Sequence, residues 1–225
     1  ALCGRNSSHW AIAMLATVSY EAVAVSIMDA FTPESIYALV KHSDARIFMV
    51  GDVVWKNLKE EELNQVDAII CQNTLELYYG KNEDVKNAHS SWDKLFAAEY
   101  PEGFDPTKVT YATDNFDEPA IINYTSGSTG DPKGVVLTHR NISSNVTFGQ
   151  DKIPNQAGWN VVSMLPLAHM FGLTFEFLYQ LAGGCHVYFL NRTPSPQVLL
   201  KALSEVHPYM MLTVPLVIEK IFKKS

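Results

Sequence analysis

Cysteine is scarce. Three residues, Cys3, Cys71 and Cys185, stand far apart in a chain of 225, with no CxxC pair and no neighbouring histidine pair. That spacing gives no disulfide framework and no zinc site, and leaves free thiols as the expectation. Basic residues are also few, 17 against 24 acidic ones for a formal net charge of −7, and they are scattered rather than gathered into a stripe. A dedicated nucleic-acid-binding surface is therefore not expected. Long uninterrupted apolar runs are missing too: the most apolar stretch, from Met164 to Leu181, is broken by Pro166, His169, Gly172 and Glu176. Those groups would be costly in lipid, so the stretch reads as protein interior. The opening residues ALCGRNSSHW lack the positive region and small-residue cleavage site of a secretory leader, and no low-complexity tract or short-period repeat is visible. The expected compartment is the cytoplasm. Both ends read as internal to a longer chain, since the first residues look already under way and IEKIFKKS stops inside a helical pattern without a glycine cap.

Apolar residues are plentiful at 47%, enough for a sizeable core. Their spacing alternates between helical periods and short β-rich runs. A helix marked by Trp10, Met14, Leu15 and Val18 follows a Ser7/Ser8 cap, and VAVSI (23–27) reads as a buried strand. Thr32-Pro33 caps the next helix, RIFMV (46–50) is a strand, a helix runs from about Val53 to Leu63, and AIICQ (68–72) is a strand again. Residues 73–91 read as a polar surface excursion, followed by a short helix from Trp92 to Tyr100. The strands AIINYT, VVLT (135–138), NVVSML (160–165), HVYFL (186–190) and YMMLTV (209–214) come next. Helices open near Thr138, after His169, at Pro196 and at Pro215. Strands alternating with helices predict an α/β fold, with a mostly parallel sheet or sheets flanked by helices.

One stretch is odd for a plain connection: NYTSGSTGDPKGVVLTHRN, residues 123–141, sets glycines and hydroxyl residues beside a lysine directly after a buried strand. Gly127, Gly130 and Gly134 permit close backbone approach; Ser126, Ser128 and Thr129 offer donors without bulk; Lys133 adds a mobile charge. Such a loop suits a polyphosphate. It is not a Walker A loop, because Asp131-Pro132 separates Gly130 from Lys133 and Gly134 follows the lysine where a hydroxyl residue is required. A second stretch, MLPLAHMFGLTFEFLYQLAGGCHVYFL, carries His169 in a proline-bounded turn ahead of an aromatic-rich helix. Taken alone, a histidine there is more often a satisfied turn residue than a catalytic one.

The string YTSGSTGDPKG, Tyr124 to Gly134, closely resembles the signature loop of the adenylate-forming superfamily of acyl-CoA synthetases, luciferases and peptide-synthetase adenylation domains. Ser128 stands where many members have threonine. The PLAHMFG turn is similar to that of the long-chain fatty acyl-CoA synthetases in particular, and the likeness covers nearly all of the chain, least specifically between Asn73 and Asp114. It implies that residues 1–225 are part of the large N-terminal domain of such an enzyme, without the C-terminal domain and inactive alone. The implied reaction joins a fatty acid to ATP with Mg2+: a carboxylate oxygen attacks the α-phosphorus, pyrophosphate leaves, and the thiol of coenzyme A then displaces AMP. The resemblance places Thr125, Ser126, Gly127, Ser128, Thr129, Gly130 and Lys133 around the β- and γ-phosphates, gives Thr125 a contact to magnesium, and assigns catalytic roles to Lys133 and His169. His169 would orient the carboxylate or acyl phosphate rather than act as a base, because a fatty acid is already ionised at neutral pH. Met170, Phe171, Phe175 and Phe177 are candidates for the wall of an acyl tunnel. Two alternatives stay open, a fatty acyl-AMP ligase delivering to a carrier protein and a non-catalytic ATP-binding module, as do a membrane surface as partner of the whole enzyme and its oligomeric state.

Overall fold

The computed structural model describes residues 1–111, 115–125, 133–215 and 219. Strands β1 (Leu2–Cys3), β2 (Ala24–Ile27), β3 (Ile47–Val50), β4 (Ala68–Cys71), β5 (Leu77–Gly80), β6 (Pro119–Thr125) and β7 (Lys133–Thr138) form one sheet in the order β5-β4-β3-β1-β2-β6-β7. The five inner strands run parallel, and the two edge strands, β5 and β7, run antiparallel to their neighbours. A separate parallel pair, β8 (Asn160–Ser163) and β9 (His186–Phe189), makes a second small sheet.

Local chemistry sets the two helices that flank the large sheet. Helix α1 (Ser8–Ser19) starts where the Ser7 hydroxyl accepts the Trp10 N–H at 3.1 Å, and α2 (Pro33–His42) starts where Thr32 accepts the Ser35 N–H at 3.3 Å, with Pro33 in the first turn. Helix α1 buries Trp10, Ala11 and Met14 on one face of the sheet, against Ala120, Ile121, Leu167 and Phe177. Helix α2 buries Ile36, Leu39 and Val40 on the other face, against Val25, Ile27, Phe48 and Val50. Each fully buried aliphatic or Phe side chain is worth roughly 1.5–3 kcal/mol, so the two faces are the main source of stability. Because β2 and β3 lie on opposite sides of β1, the loops leaving β1 and β3 diverge, and the crevice between them is the topological switch point of the sheet.

The structure departs from the sequence reading in four places. The two-residue strand β1, too short to show a period, is the centre of the sheet. The helix expected from Val53 to Leu63 is broken into α3 (Asp52–Trp55) and a 3-10 turn (Glu60–Leu63), since Lys59 is extended and gives its N–H to the Tyr37 hydroxyl at 2.6 Å. The expected polar excursion contains β5 and helix α4 (Glu83–Ser90), which buries none of its residues and so leaves no apolar period to read. The strand expected at 209–214 is reduced to one bridge, Val161 to Met210. Helix α5 (Trp92–Glu99), helix α6 (His139–Lys152), capped by Thr138 in a reciprocal capping box with Asn141, and helix α8 (Pro196–Val206) stand as expected. Between β8 and β9 run a π-helix (Gly172–Leu178) and the short α7 (Tyr179–Ala182). Most of the helix expected from Pro215 lies outside the described residues.

Candidate functional site

Strand β6 sends its side chains alternately to the two faces of the sheet. Asn123, on the α1 face, donates from Nδ2 to the carbonyl of Ala168 at 2.7 Å. Tyr124, on the α2 face, is buried with its hydroxyl bonded to His42 Nδ1 at 2.7 Å and its ring edge-on to the imidazole. Burial, and then the charge of Asp44, hold the Tyr124 phenol above its ordinary range. Gly134 closes this side: a Cβ there would stand 3.1 Å from Ile122 Cγ2 and 3.2 Å from the Tyr124 ring, tight enough that either side chain would have to give by a few tenths of an ångström.

The strand ends at Thr125, whose register partner across the hairpin is Lys133. Both are exposed, and none of the ion pairs among the described residues engages Lys133. A hydroxyl and an ammonium thus face one another across the ends of the hairpin, at the carboxyl edge of the parallel strands where ligands of α/β sheets bind. Ser126, Gly127, Ser128, Thr129 and Gly130 lie outside the described residues.

His169 sits in a tight turn. Its N–H donates to Pro166 O at 3.0 Å, its carbonyl accepts the Leu173 N–H at 3.0 Å, and Nδ1 accepts the Phe171 N–H at 3.2 Å. An accepting Nδ1 puts the proton of the neutral ring on Nε2, the nitrogen left for a ligand. Three buried side chains hold the residues leading into this turn. Asn6 donates to Leu165 O at 2.7 Å and accepts the Leu167 N–H at 2.8 Å; Asn123 holds Ala168; and Glu176 Oε2, from the π-helix, accepts the N–H groups of Met164 at 2.8 Å and Leu165 at 2.7 Å. Burial pushes the Glu176 carboxyl up to about 8, against the pull of the Leu165 and Met164 N–H groups. The other carboxyl oxygen, Oε1, has no hydrogen-bond partner among the described groups. Gly172 packs under the turn so closely that a Cβ would meet Pro166 O at 2.5 Å.

Sequence reading named Thr125, Lys133 and His169. Among the described residues a hydrogen bond ties β6, which ends at Thr125 opposite Lys133 on β7, to the turn of His169, from the residue two before Thr125 to the residue just before His169. It missed Asn6, Asn123 and Glu176 as site residues. The one signal for Glu176 was an acid inside an apolar run; the two asparagines carried none, since their partners lie far away in sequence. The aromatic run divides as follows. Phe177 is core, its ring 5.7 Å from that of Phe189; Met170 is partly buried against the same core; Phe171 and Phe175 pair at 5.2 Å with Phe171 exposed beside His169.

For a metal, the described residues hold no group of three His, Cys, Asp or Glu. The donor set that is present, the Thr125 hydroxyl, fits an ion carried in by substrate phosphates and water, as Mg2+ commonly is, rather than a resident cation. The hydroxyl and ammonium at the hairpin ends, with no ion pair or side-chain hydrogen bond among the described residues, are of the kind that suits phosphates.

The large sheet with helices on both faces matches in fold the N-terminal domains of adenylate-forming enzymes. The chain belongs to the AMP-binding enzyme family, whose profile matches residues 1–225. A chloroplastic long-chain-fatty-acid–[acyl-carrier-protein] ligase of Arabidopsis thaliana is 26% identical over 235 residues, covering 99% of this chain and 31% of that protein. A long-chain-fatty-acid–CoA ligase of Gallus gallus is 28% identical over 232 residues, covering 99% of this chain and 30% of that one. A red-emitting luciferase from Phrixothrix hirtus shares the fold with a TM-score of 0.76 at 20% identity, over 97% of this chain and 43% of its own. The chain spans about a third of the length of the curated relatives it matches. Among the described residues no helix is long and apolar enough to cross a membrane.

Proposed function

We propose that the whole protein is an ATP-dependent, AMP-forming ligase that activates a long-chain fatty acid as its acyl-adenylate and transfers the acyl group to coenzyme A, and that this chain is the phosphate-binding part of its large N-terminal domain. The observation that carries the reading is the Asn123–Ala168 hydrogen bond, which links the strand ending at Thr125, opposite Lys133, to the turn that bears His169. Two anions, a carboxylate and a triphosphate, must be brought into line, and the rate then depends on charge neutralisation and positioning. In this reading Lys133 neutralises the β- and γ-phosphates with the hydroxyl and glycine residues 126–130, Thr125 reaches the magnesium they carry, and His169 Nε2–H donates to the carboxylate or acyl phosphate. Mg2+, when bound, offsets the charge that builds on pyrophosphate as it leaves. Phe171 and Phe175 provide an aromatic wall beside the carboxylate end of the acyl chain.

The switch-point crevice, a depression of about 210 Å³, is lined by Arg5, Ser7, Asp52, Gln72 and Arg192, with Arg5 also 3.9 Å from Asp29. Its guanidinium groups suit a phosphate-bearing ligand and do not distinguish one acceptor from another. The names of the relatives support both acceptors, coenzyme A and acyl carrier protein.

The test is fatty-acid-dependent ATP–pyrophosphate exchange by the full-length protein with acetate, octanoate and palmitate, together with Mg-ATP binding to this chain and to Lys133→Ala. Exchange with palmitate, and a loss of ATP affinity of about tenfold or more in Lys133→Ala, are expected for one charge-assisted contact. Unchanged ATP affinity in that variant, or silence from the folded full-length protein with all three acids, overturns the reading. The chain alone is expected to bind Mg-ATP without sustaining ligation, and robust turnover by it would contradict its place as one part of the enzyme.

A further inference from the structure

We propose that Asn6, Asn123 and Glu176 are positioning residues of the activation step, a three-point clamp that fixes the His169 turn relative to the strand bearing the phosphate site. The inference rests on the function proposed above.

Five backbone groups in residues 164–168 are held by side chains: the N–H of Met164, the N–H and C=O of Leu165, the N–H of Leu167 and the C=O of Ala168. The three side chains come from three separate elements, the loop after β1, the strand β6 and the π-helix. All three are buried, at 7%, 8% and 3% exposure for Asn6, Asn123 and Glu176. Buried backbone groups must find partners somewhere, and a plain structural role for these bonds would end there. Two features point further. The Asn123 bond ends on the residue adjacent to His169 and starts two residues from Thr125, so it spans the two groups to which the proposed function assigns the anions. Glu176 is the one carboxylic acid buried among the described residues, and one oxygen of its carboxyl is spent on the two N–H groups at the entry to the turn. A group that costs so much to bury is a poor choice for stability alone. It sits, moreover, in a π-helix, a rare form that recurs at functional sites. With the turn pinned at both ends, His169 cannot drift as the triphosphate arrives.

The experiment compares Asn123→Ala, Asn6→Asp, Glu176→Ala and Glu176→Gln, reading Mg-ATP affinity, affinity for a palmitoyl sulfamoyl-adenosine that mimics the acyl-adenylate, and kcat for exchange in the full-length protein. Asn6→Asp keeps the acceptor for Leu167 and removes the donor to Leu165, and it carries the same test should Asn123→Ala fail to fold. A misplacement near 1 Å can cost about 100-fold, so a loss of that order in kcat is expected in Asn123→Ala and Glu176→Ala, and about tenfold in Asn6→Asp. Binding of the adenylate mimic should weaken while Mg-ATP affinity stays within about threefold, a split that general loosening of the fold does not produce. Glu176→Gln, which keeps an acceptor oxygen, should recover most of what Glu176→Ala loses. Variants whose kcat remains within about threefold of the parent, or whose ATP and mimic affinities fall together, overturn the clamp. A parent protein that binds no Mg-ATP instead overturns the function on which it rests.

Discussion

Replacing Glu176 by glutamine isolates the energetic consequence of burying that acid. The carboxyl goes from 4.5, its ordinary value, to about 8 in the fold, and burial is the cause, with no charged side chain contributing. Between those values the folded chain keeps a proton that the unfolded chain has lost, so stability falls as pH rises through this window and is fully present only below the unfolded value. Each unit of the window is worth about 1.4 kcal/mol, so from about pH 5.5 to about pH 7.5 this one group withdraws roughly 3 kcal/mol. Glutamine can accept both backbone N–H groups with its amide oxygen and cannot ionise. Its NH2 takes the place of Oε1, near the buried Ser163 hydroxyl, and if left unpaired costs on the order of 1–3 kcal/mol, but the same amount at every pH. Urea unfolding of both proteins at three values across the window is the assay. The midpoint of the glutamine variant should move upward relative to the parent by on the order of 1 M from the lowest to the highest pH, at unchanged slope. Parallel midpoints across the window would refute the reasoning, because they would mean that the carboxyl is ionised in the fold and is satisfied by the two N–H groups alone.

Other substitutions separate core from site. Gly172→Ala forces a methyl against the Pro166 carbonyl and should cost about 1–3 kcal/mol in chemical denaturation while weakening the acyl-adenylate mimic more than ATP; equal stability would show that the turn has room. Phe177→Ala opens the core and should cost about 3–5 kcal/mol, whereas Phe171→Ala should change stability by less than about 1 kcal/mol and act on binding of long acyl chains; similar melting losses in the two would remove Phe171 from the acyl site. Tyr124→Phe loses the bond to His42 and should cost about 1 kcal/mol with little change in ATP affinity, which calorimetric titration checks directly.

The frame of the fold was legible wherever a local rule decided the outcome. Thr32-Pro33 marked the start of α2, Thr138 the start of α6, and four of the five parallel strands of the large sheet showed as apolar runs. β1 escaped because two residues carry no period, and α4 because a helix with no buried face has no stripe to read. The candidate groups of the proposed site could be named from the sequence, and the side chains that support them could not. Hydroxyl groups, glycines and a lysine are compatible with a phosphate by their types, and it was the resemblance to a known signature loop that pointed to that reading and to His169. Asn6 and Asn123 look like any other asparagines until the chain is folded, because their partners lie 159 and 45 residues away. Glu176, noted in the sequence only as an obstacle to membrane insertion, acquires its meaning from a π-helical turn that no amphipathic pattern foretells.

The long reach of those bonds bears on how the protein is made. The turn that presents His169 is complete only when the first loop, the sixth strand and a segment more than 150 residues downstream of the start have met. Loop closure of that span comes late in folding, after local helices and neighbouring strands have formed. A nascent or partly folded chain therefore carries its phosphate-loop residues before it can present the histidine. In the function proposed above, competence to join the two anions would arrive only together with the finished sheet.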